Sequence, residues 1–322
     1  MNFSKLIPEH YSKLIDFKNP KDPLYLMSVP SKKENICKPH ELSDPIADKL
    51  HEKTPGLIHR YPDRVLLKVT NNCAIHCRFC FRKNILDKST FDLKKAITYI
   101  KKHKEVWEVI LSGGDPLILS DKEIQKIFAE LSKIPHIKAI RIHTRVPAVV
   151  PQRITKKLIE TLTNTKTTHA LKSQKIIFVI HINHPREITK ELASIVSKLT
   201  VKNIMTLSQS VLLKGINDSA KTLSALFRQL VQIGVKPYYL HQLDPASGTS
   251  HFAVPLPKAR RIYNSLRGHL SGICIPEFMI EQPKGKGKIP VMWYNQKHKG
   301  KAFNQTKKCQ MKSQCKPTFR QT

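Results

Sequence analysis

Six short apolar runs, each followed by a segment of helical periodicity, recur along the chain from residue 65 onward, and nothing else in the sequence constrains the fold as much. The runs cover residues 65–70, 107–112, 138–143, 175–182, 203–207 and 236–240. Each is rich in Val, Ile or Leu, the texture of strands buried on both faces. Residues 91–103, 121–132, 155–162, 187–199, 219–233 and 257–270 space their apolar side chains as one face of a helix does. Asp121 and Glu123 add acid where a helix start favours it. Six βα units in series predict an α/β fold with a parallel sheet curled into a partial or full barrel. Such barrels gather their chemistry at the C-terminal ends of the strands. Polar and glycine residues fall there: Asn71-Asn72 and three cysteines after the first strand, Gly113-Gly114-Asp115 after the second, then residues 143–145, His181, Gln209 and Asp244.

Residues 1–58 carry no such alternation and read as an N-terminal extension with two or three short helices. The barrel takes residues 59–282, and residues 283–322 form a final segment whose polar, basic tail is expected to be partly disordered. No run approaches the roughly 20 apolar residues that span a bilayer. The N-terminus lacks the basic-then-apolar layout of a signal peptide, so a cytoplasmic enzyme with no membrane partner is expected. The net charge of +32 admits two readings, a nucleic-acid partner or compositional drift. The lysines are spread over nearly every segment rather than gathered in an arm, which favours drift over specific nucleic-acid binding.

Of seven cysteines, Cys73, Cys77 and Cys80 lie together as C-x3-C-x2-C, while Cys37, Cys274, Cys309 and Cys315 are scattered. In a reducing compartment such a cluster points to metal rather than to disulfides. Three thiolates can hold an iron–sulfur cube, which ordinarily takes four cysteines, and so leave one iron open. Zinc is the rival, with His76 as the nearby fourth ligand, although structural zinc sites usually show paired spacing. Three unrelated core cysteines are the bland alternative, disfavoured by their place after the first strand.

With Phe79 before the third cysteine, the run resembles the signature of the radical S-adenosylmethionine (SAM) superfamily. The resemblance implies a partial (β/α)6 barrel and a [4Fe–4S] cluster on Cys73, Cys77 and Cys80. SAM would bind the open iron and be cleaved to a 5′-deoxyadenosyl radical. Ser112-Gly113-Gly114-Asp115 matches the superfamily's second-strand motif, which contacts SAM, and glycines there allow close backbone approach.

Within the superfamily the chain is similar to lysine 2,3-aminomutases over roughly residues 55–292. The likeness rests on residues 59–66, on the segment from Arg145 to Thr155, on His181-Ile-Asn-His-Pro185, and on the segment from Gln209 to Asp218. It implies pyridoxal 5′-phosphate (PLP) as a further cofactor. Lys288, in Pro-Lys-Gly-Lys-Gly-Lys288-Ile-Pro, matches the Schiff-base lysine, with Lys286 the alternative and Lys284 a further cation nearby. Arg60, Tyr61 and Arg64 match the PLP-phosphate contacts, and arginine forks suit phosphate. Arg82 matches the substrate-carboxylate position. Asp244 and Glu281 match the pair facing the ε-ammonium, where long family members carry Asp in place of Glu281. His181 and Gln209 match positions near SAM.

The resemblance therefore implies an isomerase that converts (S)-α-lysine to (R)-β-lysine and regenerates SAM. It is closest to the members that supply β-lysine for elongation factor P modification. A flavodoxin or ferredoxin electron donor, a functionally linked ligase and a homo-oligomeric state come with it as expectations. The alternatives are an aminomutase for another amino acid and, further off, an RNA-modifying radical SAM enzyme.

Overall fold

The computed structural model describes residues 4–86, 90–163, 174–282 and 285–294. Lys284, Cys309 and Cys315 lie outside the described residues. Two short strands, β1 (Glu52–Thr54) and β2 (Leu57–Tyr61), lead antiparallel into β3 (Arg64–Thr70). From β3 the sheet runs parallel through β4 (Glu108–Gly113), β5 (Ala139–Thr144), β6 (Lys175–His181), β7 (Met205–Leu212) and β8 (Lys236–Gln242). All six apolar runs are thus strands, as expected. Every residue of β4 is buried, whereas β7 alternates buried and open positions, the pattern of a strand with one face on a cavity.

The sheet continues past the sixth run. A seventh parallel strand, β9 (Glu277–Glu281), pairs with β8, and β10 (Lys288–Pro290) folds back antiparallel on β9. The strand order is β1 to β10 in sequence, so the sheet is an open barrel wall with β1 and β10 at its edges. Strand β2 crosses the expected boundary at residue 58, and the β9–β10 hairpin crosses the one at residue 282.

The intervening helices start where their caps dictate. Helices α1 (Glu9–Ser12) and α2 (Pro23–Ser28) belong to the N-terminal segment. Then come α3 (Leu93–Lys102), capped by Asp92, and α4 (Asp121–Ser132), where Ser120 and Glu123 form a capping box. Helices α5 (Val146–Val149) and α6 (Lys156–Thr163) follow β5. Thr189 caps α7 (Lys190–Val201), which places Glu187 in the turn before the helix rather than within it. Ser219 caps α8 (Ala220–Gln232), and α9 (Leu256–Asn264) ends short of the expected residue 270. No described helix is long and apolar enough to cross a membrane.

The N-terminal segment does more than precede the barrel. Tyr11, Leu24 and Met27 are fully buried against the core. Glu34 holds Arg78 through a two-pronged ion pair at 2.9 and 2.6 Å, beside the cysteine loop. The Glu41 carboxylate accepts from the amides of Gly248, Thr249 and Ser250 at 2.8–3.1 Å, and Leu42 bridges to Ala246. Burial acts to raise its pKa, but the Ser250 hydroxyl and these amides hold Glu41 down at about 2. The segment is thereby fastened over the loops at the C-terminal ends of β3 and β8.

Candidate active site

The cysteine loop leaves the end of β3 and packs at once on the glycine pair that ends β4. A Cβ on Gly113 would lie 2.3 Å from the Thr70 carbonyl oxygen, and one on Gly114 only 1.9 Å from that of Asn72. The Gly114 and Asp115 amides donate to those two carbonyls at 2.7 and 2.8 Å. Both glycines also line the main cavity, but the loop's backbone alone already forbids any side chain there. Asp115 is buried and accepts from Thr144 Oγ1 and from the Arg145 amide, each at 2.7 Å, and from the Leu117 and Val146 amides. Burial raises its pKa against these donors. Its carboxylate orders the turn after β5.

Cys73, Cys77 and Cys80 line a cavity of about 490 Å³ at the C-terminal strand ends. Burial and then repulsion from the neighbouring thiols raise the pKa of Cys73 and Cys80, that of Cys80 to about 11. A metal must therefore displace protons to bind, and the cations alongside ease that cost. Arg145 Nη1 stands 2.7 Å from Cys77 Sγ. Among the described residues no three His, Cys, Asp or Glu converge to hold a single metal ion. The ligands of one cube attach to separate irons and need no such convergence. His76, the candidate fourth zinc ligand, points Nδ1 at the Ser4 carbonyl, 2.8 Å away. Three thiols on one cavity, with an arginine against one of them, fit an iron–sulfur cube better than a closed zinc site.

Arg145 is held from behind. Its Nη2 donates to Glu187 Oε1 at 2.7 Å and to the Tyr11 hydroxyl at 2.9 Å, which joins α1 to the cysteine loop. Burial would raise the Glu187 pKa, but Arg145 keeps it low. His181, at the end of β6, stacks near Phe79 with ring centroids 5.6 Å apart and contacts Asn183 Nδ2 at 3.0 Å. Burial, then Arg145, lowers its pKa to about 4, so its imidazole is neutral at pH 7. Gln209 sits beside it in the β6–β7 register. Both line the cavity.

The far side of the cavity is densely charged. Lys288 and Glu281 are cross-strand partners in the β9–β10 hairpin, with Nζ 3.1 Å from Oε2. Arg60 Nη1 donates to Glu281 Oε1 at 2.8 Å, and its Nη2 donates to the Ile46 carbonyl. Arg60 Nε is buried and has no partner among the described residues, a donor suited to an incoming anion. The Tyr61 hydroxyl accepts from the Lys288 amide at 2.8 Å. A Cβ on Gly287 would fall 2.8 Å from that hydroxyl, and its φ of +91° also requires glycine. Arg64 lies 3.9 Å over the Tyr61 ring and pairs with the exposed Asp63. Arg82 Nε donates to Asp48 Oδ2 at 2.9 Å and its Nη1 to Ser112 Oγ at 3.2 Å. Burial pushes Asp244 up to about 6, with Lys288 pulling the other way. Lys286 is exposed, while Lys288 lines the cavity.

The structure thus brings Arg60, Tyr61, Arg64, the three cysteines, Arg82, residues 112–115, His181, Gln209, Asp244 and Lys288 onto one cavity wall. Glu281 is buried against two of them. Sequence reasoning missed Asp48, Tyr11 and Glu187. Each sits in a segment without periodicity or at a turn, and no local pattern marked it.

Comparisons with known proteins agree with this geometry. Residues 67–226 match the radical SAM superfamily. L-lysine 2,3-aminomutase of Methanococcus maripaludis is 43% identical over 296 residues, covering 90% of this chain and 66% of that protein. The Clostridium subterminale enzyme of the same name is 40% identical, with 89% and 68% covered. The Buchnera aphidicola one is 42% identical, with 89% and 84% covered. The chain therefore spans about two thirds of the length of the first two. The crystal structure of Streptococcus suis SuiB bound to S-adenosylmethionine superposes with a TM-score of 0.52 at 16% identity, over 73% of this chain and 52% of that one, a likeness of fold. Such identity across nine-tenths of the chain, joined to the three-thiol cavity and the matching barrel, assigns it to the lysine 2,3-aminomutase family of radical SAM isomerases.

Proposed function

We propose that this protein moves the amino group of L-lysine from the α- to the β-carbon, giving (R)-β-lysine. The observation that carries the reading is the shared cavity: three cluster thiols, Lys288, a buried arginine (Arg82) and an acid (Asp244) all line it. When bound, the cluster and SAM supply a 5′-deoxyadenosyl radical, and PLP supplies a carbonyl that bonds amines and a ring that delocalises unpaired spin.

The chain's own residues supply the rest. Cys73, Cys77 and Cys80 would hold the cluster, with Ser112, Gly113, Gly114, His181 and Gln209 around SAM. Arg64, Tyr61 and the free Nε of Arg60 would hold the phosphate of PLP. Lys288 must lose a proton before its nitrogen can bond a carbonyl, and Glu281 Oε2 lies 3.1 Å from Nζ to accept it. Arg82 takes the α-carboxylate, and Asp244 takes the ε-ammonium. Opposite charges for the two ends of the substrate select a diamino acid and reject an acidic one. Neutral His181 and the apolar wall of Val65, Ile110, Val211 and Met279 keep water and stray charge from the reacting carbons.

The resemblance to the family extends the proposal to a cytoplasmic enzyme that is reduced by a flavodoxin or ferredoxin. Its product would pass to the ligase that modifies elongation factor P. The test is anaerobic: reconstituted protein with SAM, PLP, reductant and L-lysine, assayed for β-lysine by chiral chromatography. Turnover of a different amino acid but not of lysine refutes the substrate and leaves the family standing.

A further inference from the structure

Asp48 lies at the head of a short turn in the N-terminal segment, outside every motif, yet it is 2% exposed and lines the cavity. Its carboxylate serves two arginines. Oδ2 accepts from Arg82 Nε at 2.9 Å, and Oδ1 stands 3.5 Å from Arg60 Nη2. Both arginine side chains are only 8% exposed, so each needs a nearby counter-charge. Asp48 is itself fixed, since its amide donates to Asp44 Oδ1 at 3.0 Å and the Lys49 amide donates to Asp44 Oδ2 at 3.1 Å.

The division of donors on Arg82 is informative. Nε is held by Asp48 and Nη1 by Ser112, while Nη2 carries no hydrogen bond among the described residues. A guanidinium held at two of its three nitrogens keeps its plane, and its remaining donors are presented in a fixed direction. Arg60 is treated alike: Glu281, Ile46 and Asp48 occupy its terminal nitrogens, and Nε is left over. One carboxylate therefore contacts both arginines, closely at Arg82 and at 3.5 Å at Arg60, and ties their positions together.

We propose that Asp48 is a positioning residue for substrate recognition: it aims Arg82 at the α-carboxylate of the amino acid and fixes that site relative to the phosphate site at Arg60. The inference rests on the proposed roles of Arg82 and Arg60. It also gives the N-terminal segment a part in specificity, since among the described residues no barrel carboxylate makes this contact to Arg82.

The test compares two ligands that differ only in the group Arg82 would read. L-Lysine and 1,5-diaminopentane share both amines and the chain, and only lysine has a carboxylate. Binding of each to the holoenzyme, with cluster, SAM and PLP in place, is measured by calorimetry for the wild type, Asp48→Asn and Asp48→Glu. In Asp48→Asn, lysine affinity is expected to fall about ten-fold or more while diaminopentane changes less than about two-fold. Asp48→Glu, which keeps the charge but displaces it, is expected to show the same selectivity at about three-fold, and it carries the test if the Asn variant does not fold. Equal losses for both ligands would reduce Asp48 to a structural residue and overturn the proposal, as would unchanged lysine affinity. Failure of the wild type to bind lysine, with binding of another amino acid, refutes the substrate reading instead; that amino acid and its decarboxylated amine then replace the pair.

Discussion

Glu281 Oε2 and Lys288 Nζ face each other across the β9–β10 hairpin at 3.1 Å, while the other oxygen of Glu281 holds Arg60. The lysine proposed to bond PLP and the arginine proposed to hold its phosphate thus share one buried acid. Lys288→Ala is expected to abolish the near-ultraviolet absorbance band of the pyridoxyl adduct that borohydride fixes covalently on the reconstituted protein. Lys286→Ala, at an exposed position, should leave it intact. Loss of the band only in Lys286→Ala transfers the role to that residue.

If Asp244 takes the ε-ammonium as proposed, lysine binding becomes sensitive to acid. Its pKa is raised to about 6, chiefly by burial, so its negative charge is complete above pH 7 and lost as pH falls through 6. Only the ionised form attracts the ε-ammonium. The kcat/KM for lysine should therefore fall below pH 6 and be flat above 7. Asp244→Asn should remove that limb and lower kcat/KM by about 2 kcal/mol, or some thirty-fold. A pH–rate profile unchanged by the substitution would assign the ammonium to another group.

Gly114→Ala tests the packing of the cysteine loop. Its Cβ would meet the Asn72 carbonyl at 1.9 Å, and a backbone oxygen cannot swing aside as a flexible side chain does. The loop must shift, and the expected result is loss of iron on reconstitution, read as iron per chain and absorbance near the cluster band. Full cluster loading in the variant would show that the loop tolerates the displacement.

Arg145 is the buried cation between Cys77, Glu187 and Tyr11. Arg145→Met leaves Glu187 buried without its partner and should destabilise the cluster-free protein by about 3–5 kcal/mol in urea unfolding. The double variant Arg145→Met/Glu187→Gln should recover much of that loss, because the isolated charge is gone. Strict additivity of the two substitutions would deny the pairing.

The parts of the fold legible in the sequence were those governed by local rules. Runs such as Val109–Leu111 read as buried strands because nothing but branched apolar residues fills them, and the acids Asp121 and Glu123 announced the start of α4. Strand β9 escaped because Glu277 and Glu281 bracket only three apolar residues; its pairing with β8 is settled by tertiary context. The cysteine spacing identified the cluster loop, and the family resemblance gathered residues that the structure brings onto one cavity. Asp48 was illegible, since a lone aspartate before a short turn is ordinary until Arg60 and Arg82 arrive from elsewhere in the chain.

The open edge of the barrel has a further meaning. Strands β2 and β10 are not joined by a backbone ladder, and side-chain contacts instead link the first strands to the last hairpin: Arg60 of β2 to Glu281 of β9, Tyr61 of β2 to the Lys288 amide of β10, and His51, just before β1, to the Gly285 carbonyl before β10. Two of these three contacts use residues assigned to PLP. On the proposed roles the seam of the barrel is the mouth of its cofactor site, and a molecule that bonded Lys288 while gripping Arg60 and Arg64 would act as a rivet between β10 and the strands β2 and β3. Cofactor loading then becomes part of folding. Saturation at about a hundred times the dissociation constant adds about 2.7 kcal/mol to the closed form, and amide exchange should slow first along β2 and β10, on the two sides of the seam.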